Sequence, residues 1–162
     1  MFAQKLIGLD IGTTSVKAAV IDTNGAIHAR FSESYPSSRI GTNLVEQNPE
    51  DWTNLVNKAL NSFIDHKVVG IGLCSQVNTH VFLGADDRPL LPAITWQDTR
   101  AKNEAQDLNS QVSDEEKINW WGSPMPIDAS HALSRMSWMK KMHDEIWHKT
   151  RKVMLPKDYC IL

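Results

Sequence analysis

The sequence predicts an α/β fold on a mixed sheet: an antiparallel three-stranded meander, then a crossover helix, then a strand parallel to the first. Three observations carry this reading. Two short runs rich in branched residues, Leu6 to Ile11 and Val16 to Ile21, are separated by Gly12-Thr13-Thr14-Ser15. A helical period starts at Pro49 and recurs at Trp52, Leu55, Val56, Ala59, Leu60, Phe63 and Ile64. A continuous apolar run from Val68 to Cys74 follows, as expected of a central strand buried on both faces.

Taken in order, the second strand stops at Asp22-Thr23-Asn24-Gly25, whose Asn-Gly pair suits positive φ, and a third strand runs from Ala26 to Tyr35 before Pro36. The crossover helix is expected from about Pro49 to Asp65, with Pro49 at the first helical position and Glu50 and Asp51 at the positive end of its dipole. Thr79 to Leu83 reads as a strand ending at Asp86-Asp87-Arg88-Pro89. The second half is mainly helical: Thr99 to Asn109, a capped start at Ser113-Asp114-Glu115-Glu116, and Ser130 to Met142. Gly122 to Pro126 is a loop, and Arg151 to Leu155 returns to strand character. The apolar ending at Ile161-Leu162 lacks a cap or turn, so Leu162 is read as a truncation point.

Composition narrows the function classes. With 162 residues, 17 Lys+Arg against 19 Asp+Glu and 41% apolar residues, the chain is one domain's worth of globular sequence. A formal charge of -2 gives no basic field for nucleic acid, and no apolar run approaches the ~20 residues of a membrane span. Cys74 and Cys160 are too few for a disulfide framework, so a cytoplasmic location is expected.

The strongest chemical signal is the first turn, where Asp10 ends one strand and Gly12, Thr13, Thr14 and Ser15 follow. Backbone N–H groups and hydroxyls of such a turn can cradle phosphate oxygens, and Asp10 can hold magnesium through water. Neither the three-glycine dinucleotide motif nor the Gly-Lys-Ser/Thr motif is present, and a plain hairpin turn explains the glycine and threonines equally well. Trp52, Trp138 and Trp147 are read as core, Trp120-Trp121 as a packing plug, Cys74 as an inert buried thiol, and His80 as a satisfied buried histidine.

Asp10-Ile11-Gly12-Thr13-Thr14 in a strand-turn-strand resembles the first phosphate motif of the actin-like ATPase superfamily. Glu46-Gln47-Asn48-Pro49-Glu50-Asp51-Trp52, Gly72-Leu73-Cys74-Ser75-Gln76, Pro92 to Arg100, and Leu155-Pro156-Lys157-Asp158-Tyr159 then occur in the order seen in the N-terminal part of the FGGY family of carbohydrate kinases. The resemblance implies a ribonuclease-H-like (actin-like ATPase) lobe, with residues 1–162 the N-terminal part of the first domain and a second lobe elsewhere. It implies ATP-dependent phosphorylation of a hydroxyl on a small sugar or polyol, with Mg2+. Asp10 resembles the magnesium-orienting residue, Gly12, Thr13 and Thr14 the ATP-phosphate loop, and Lys17 the basic position after it. Gln76, Val77 and Asn78 fall where the family reads its substrate, Trp96 resembles the tryptophan that packs on the substrate, and Asp98 lies nearby. Val77-Asn78 departs from both Met-His of ketopentose kinases and Arg-Glu of glycerol kinases. Ser130 stands where glycerol kinase has a tyrosine, and Arg135 where a lysine is usual.

The family's catalytic aspartate falls beyond Leu162, so no catalytic residue is assigned within the chain and the isolated chain is expected to be inactive. The expected partners are ATP and a sugar, polyol or sugar acid, with no nucleic acid and no membrane; a homodimer is one assembly open to the full-length protein. The rival readings are a non-catalytic actin-like nucleotide switch and a bare structural fragment.

Overall fold

Alternation of branched side chains builds the central sheet of the computed structural model, which describes residues 3–162. In β1 (Lys5–Ile11) and β2 (Ser15–Asp22), Ile7, Leu9, Ile11, Val16, Ala18 and Val20 are buried, while Leu6, Gly8 and Lys17 are exposed. The two strands pair antiparallel with Asp10 opposite Lys17, and β2 pairs antiparallel with β3 (Ile27–Ser34). At the second turn Asp22 Oδ1 accepts from the N–H groups of Asn24 and Ala26, and Gly25 takes φ +87°.

Helix α1 (Pro49–Ser62) begins as the sequence predicts. Its N-cap Asn48 accepts from Glu50 N–H, and Pro49, Glu50 and Asp51 fill the first turn. Trp52, Leu55, Val56 and Ala59 are buried and form one core with the inward faces of β1 and β2. The helix ends earlier than expected, because the Phe63 N–H turns to Leu60 O; a 3-10 turn over Ile64–His66 follows and leaves Ile64 exposed.

Two short elements come between β3 and α1, β4 (Ser38–Ile40) and β5 (Leu44–Gln47). After the crossover, β6 (Gly70–Ser75) runs parallel to β1, in the order β3-β2-β1-β6. The expectation of burial on both faces is corrected. Ile71 sits in register with buried Ile7 yet is 54% exposed, because β6 is the edge strand and the α1 layer does not reach over it.

The remaining elements form a second layer of structure. β7 (Val81–Leu83) pairs antiparallel with the late strand β9 (Lys152–Met154), and β8 (Ala93–Ile94) joins β5 in a three-stranded sheet with β4. Helices α2 (Lys102–Gln111), α3 (Asp114–Trp121), α4 (Ala132–Met142) and α5 (Asp144–Lys149) precede β9, and α6 (Pro156–Ile161) packs against α1 and β6. The capping box at α3 is formed by Ser113 and Glu116. Phe82, Ile94 and Met139 make a second small core with Trp138, Trp147 and Val153 around them. The expected packing plug is only partial: Trp121 meets Trp120 edge-on at 5.6 Å, but Trp120 is mostly exposed. No helix among the described residues is long and apolar enough to cross a membrane.

Trp52 is fully buried where α1 meets the sheet. Trp52→Ala is expected to cost about 3–5 kcal/mol of unfolding free energy, read as a lower urea midpoint at unchanged slope.

Candidate functional site

The antiparallel pairing of β1 and β2 brings Asp10 and Lys17 side by side, and the turn between them is held from three directions. Within the turn Gly12 N–H donates to Ser15 O at 3.0 Å. From the end of β3, Tyr35 N–H donates to Thr14 O at 3.2 Å and the Tyr35 hydroxyl donates to Gly12 O. From β5, Gln47 Nε2 donates to Thr13 O at 2.7 Å. From the loop after β8, Trp96 Nε1 donates to Thr13 Oγ1 at 3.0 Å. Because Thr13 Oγ1 accepts from Trp96, its own O–H remains a donor for a ligand. A Cβ on Gly12 would lie 3.2 Å from Ser15 O and 3.4 Å from Asp10 Oδ2, so a side chain there would crowd the turn and the carboxylate.

Asp10 lines a cavity of about 620 Å³ together with Lys17, Arg30, Ser32 and Cys74. Cys74 is exposed rather than buried, since it lies on the uncovered face of the sheet. Its Sγ is 3.4 Å from Asp10 Oδ1, and desolvation, with the Asp10 carboxylate beside it, pushes the thiol pKa up. That fits the expected lack of nucleophilic character, though not the expected burial. Among the described residues no group of three His, Cys, Asp or Glu side chains could hold a metal. Asp10 is a single carboxylate beside the turn, the one donor there that a magnesium ion keeping most of its water would take along with substrate phosphates.

The residues expected on the acceptor side are separated from one another. Gln76 is buried and works inside the fold, its Nε2 donating to Gln47 Oε1 at 2.8 Å and its Oε1 accepting from Thr79 Oγ1 at 3.1 Å. Thr79 Oγ1 in turn accepts from Trp96 N–H at 3.1 Å. Asp98 is buried with every lone-pair position filled: Oδ1 by Arg100 N–H and Nε, Oδ2 by Val45 N–H and Arg100 Nη2. It positions β5 and Arg100 and has no capacity left for a substrate hydroxyl. Val77 is 67% exposed and Trp96 46% exposed. Asn78, at φ +54°, turns away from these two and lines a second cavity of about 380 Å³ with His80, His131 and Asp158. The first cavity thus gathers Asp10 and Lys17, the second takes Asn78, and Trp96 with Thr13 stands outside both.

Sequence reasoning missed the part played by Gln47 and Thr79, which were visible only as neighbours of chemically more suggestive residues. It also took His80 for a satisfied buried histidine. His80 is 5% exposed, but its Nδ1 has no partner among the described residues. Burial, then the Arg135 and His131 charges, push the His80 pKa down to about 4. Arg135 is itself fully buried and donates to the carbonyls of Ile94 and Thr95, strapping α4 to the strand that bridges His80.

The model of the FGGY family of carbohydrate kinases, N-terminal domain, matches residues 5–162. The xylulose kinase of Escherichia coli strain K12 is 31% identical over 160 residues, which cover 96% of this chain and 32% of that protein. The crystal structure of gluconate kinase from Lactobacillus acidophilus superposes with a TM-score of 0.87 at 29% identity, over 99% of this chain and 33% of that one. A ligand-bound xylulose kinase from Lactobacillus acidophilus gives the same TM-score and identity, over 98% of this chain and 32% of that one. The chain spans about a third of the length of the curated relatives it matches.

Two stability predictions follow from the site's geometry. Gln76→Leu removes the donor to Gln47 and the acceptor of Thr79. It is expected to cost about 1–3 kcal/mol for each group left unpaired, measured by urea unfolding. For His80 the folded pKa of about 4 lies below the ordinary 6.5, so the unfolded chain binds more protons between those values and stability falls as pH drops through that window. Unfolding at pH 5 is expected to need about 2 kcal/mol less than at pH 7 on this account, and His80→Leu should remove that share of the pH dependence.

Proposed function

The chain belongs to the FGGY family of carbohydrate kinases, and on that premise we propose that the kinase to which it contributes moves the γ-phosphoryl group of ATP to a hydroxyl of a small sugar or polyol. The observation that carries this reading is the Trp96–Thr13 hydrogen bond. It ties the turn expected to face the ATP phosphates to the loop expected to face the acceptor. Phosphoryl transfer asks a protein mainly for positioning and charge neutralisation, so a rigid link between the two substrate sites serves the chemistry directly.

In this reading Gly12, Thr13 and Thr14 present N–H groups and hydroxyls to the phosphate oxygens. Lys17, beside Asp10 across the β1–β2 pair, supplies a compact positive charge to the same cavity. Asp10 would hold the magnesium ion, which would supply charge neutralisation at the phosphates. Gly12 keeps the turn close to that carboxylate. Trp96 presents half of its surface as an apolar platform for the C–H face of a sugar, while its indole N–H is fixed on Thr13. The family resemblance implies that a carboxylate beyond Leu162 deprotonates the attacking hydroxyl; Asp98, with its carboxylate fully hydrogen-bonded, has no lone pair left for that role.

A coupled ATP-consumption assay of the full-length kinase against ketoses, polyols and sugar acids tests the reading; acceptor-independent ATP turnover alone would overturn it in favour of a nucleotide switch. In the same assay Asn78→Ala is expected to weaken acceptor use by about 1–3 kcal/mol in kcat/KM while leaving the KM for ATP unchanged.

A further inference from the structure

The β1–β2 turn is not the hairpin that its length would ordinarily give. A two-residue loop between antiparallel strands closes with a pair of bonds, here Gly12 N–H to Ser15 O and Ser15 N–H to Gly12 O, and the primed turns that do so need positive φ at one or both central residues. Those positions are Thr13 and Thr14, and a β-branched side chain resists positive φ. Among the described residues, positive φ outside glycine occurs at Lys67, Asn78 and Asp87 alone. Of the pair of bonds just the first is made, Gly12 N–H to Ser15 O at 3.0 Å. The Gly12 carbonyl accepts from the Tyr35 hydroxyl instead.

Tyr35 is well placed for that exchange. It follows β3 directly, is buried in the core that α1 shares with the sheet, and uses its own N–H to hold Thr14 O at 3.2 Å, so one residue grips the turn twice. Burial pushes its pKa up, with some relief from the Trp52 indole and a further push from the Asp10 charge, so the hydroxyl keeps the hydrogen it donates. In a trans peptide the carbonyl and the following N–H point to opposite sides, and no peptide bond among the described residues is cis. Gly12 O is drawn inward by Tyr35, and Thr13 O by the buried Gln47 through Nε2 at 2.7 Å, so the N–H groups of Thr13 and Thr14 are turned out of the fold. Neither has an acceptor among the described residues, and Thr14 is exposed. Successive outward N–H groups form a concave seat for an anion.

We propose that Tyr35 is a positioning residue for the phosphate side: it takes the carbonyl that a closed hairpin would give to Ser15 N–H, and so aims the N–H groups of Thr13 and Thr14 together at the oxygens of a bound phosphate group. The proposal rests on the kinase reading and adds to it the residue that gives the turn its donor direction. The two threonines oppose the closed turn, and the tyrosine supplies the donor that the open turn lacks. A phenylalanine would fill the same core space yet leave Gly12 O without this partner, and a peptide released in that way can rotate and take the Thr13 N–H with it.

The test uses the full-length kinase and Tyr35→Phe, with adenylyl imidodiphosphate as a non-hydrolysable ATP analogue. The dissociation constant of the analogue, read by calorimetry, and the KM for ATP are both expected to rise about tenfold, with the KM for the acceptor staying within about twofold. Unchanged analogue affinity would overturn the proposal, and so would an equal loss on both substrates, because a merely structural tyrosine loosens the whole lobe. A second measurement needs no variant and covers the case in which Tyr35→Phe does not fold. In kinase labelled with 15N-threonine, the Thr13 and Thr14 amide resonances are expected to move downfield together on adding the analogue; if neither moves, the proposal fails. A protein that shows these shifts yet phosphorylates no sugar, polyol or sugar acid removes the kinase reading and leaves the role of Tyr35 standing.

Discussion

A closed ring of hydrogen bonds, buried along the Gln47–Gln76–Thr79 side, holds the β1–β2 turn, the crossover and the loop after β8 in one arrangement. It runs from Trp96 N–H to Thr79 Oγ1, from Thr79 to Gln76 Oε1, from Gln76 Nε2 to Gln47 Oε1, and from Gln47 Nε2 to Thr13 O. Trp96 Nε1 closes it on Thr13 Oγ1. Two donor chains start at Trp96 and both end on Thr13, so the sense of every amide is determined: rotating either glutamine would set two oxygens or two N–H groups against each other. Buried networks of this kind are strongly directional because an unpaired member costs far more than a paired one gains. The ring joins residues 13, 47, 76, 79 and 96, which lie in four separate stretches of the fold. The position of the β1–β2 turn is therefore set by tertiary contacts more than by its own hairpin.

A second tier of buried charge supports that ring from behind. Arg100 donates to both Asp98 and Glu46, at 2.7 Å each, with its guanidinium 5.1 Å above the Trp138 ring. Asp98 also receives the Val45 N–H, which fixes β5 and hence Gln47 two residues on. Arg135 donates only to carbonyls, those of Ile94, Thr95, Ala129 and Asp98, and desolvation lowers its pKa to about 10. An arginine fork suits this better than a lysine would, because two adjacent carbonyls on one strand can be met by two N–H groups of a planar group. The departure from lysine at this position is thus tied to how α4 is fastened to β8.

What the sequence disclosed and what it concealed divide along local and non-local lines. The meander, the N-terminus of α1 and the capping box of α3 were legible because their signals lie within a few residues: branched alternation, an Asn-Pro-Glu-Asp start, Ser113 with Glu116. The β4-β5-β8 sheet was not, since strands of two to four residues carry too little periodicity and β8 pairs across more than forty residues. The exposed edge of β6 was concealed for a different reason: an apolar run records what a strand can bury, and not whether a neighbour is in place to cover it. At the candidate site, Asp10 and the small turn residues stood out by type and spacing and Lys17 by the family resemblance, whereas the inward turn of Gln76 and the saturation of Asp98 depended on partners at positions 47, 79, 45 and 100.

The loop after β6 divides inward-held and outward-facing side chains over four residues. Gln76 continues the β1 ladder, its N–H donating to Ile11 O at 2.8 Å, and its side chain enters the ring. Thr79 returns to the ring, so both ends of the loop are fixed to the same network. Between them only Val77 and Asn78 are free to face outward, and Asn78 accomplishes the reversal in the left-handed region, at φ +54°, a conformation asparagine tolerates better than most side chains. The backbone that closes the turn therefore also aims the amide, while a β-branched residue there would meet strain in addition to losing the amide. Variation at these two positions leaves the ring untouched, so the β1–β2 turn keeps its place whatever side chains the loop after β6 presents outward.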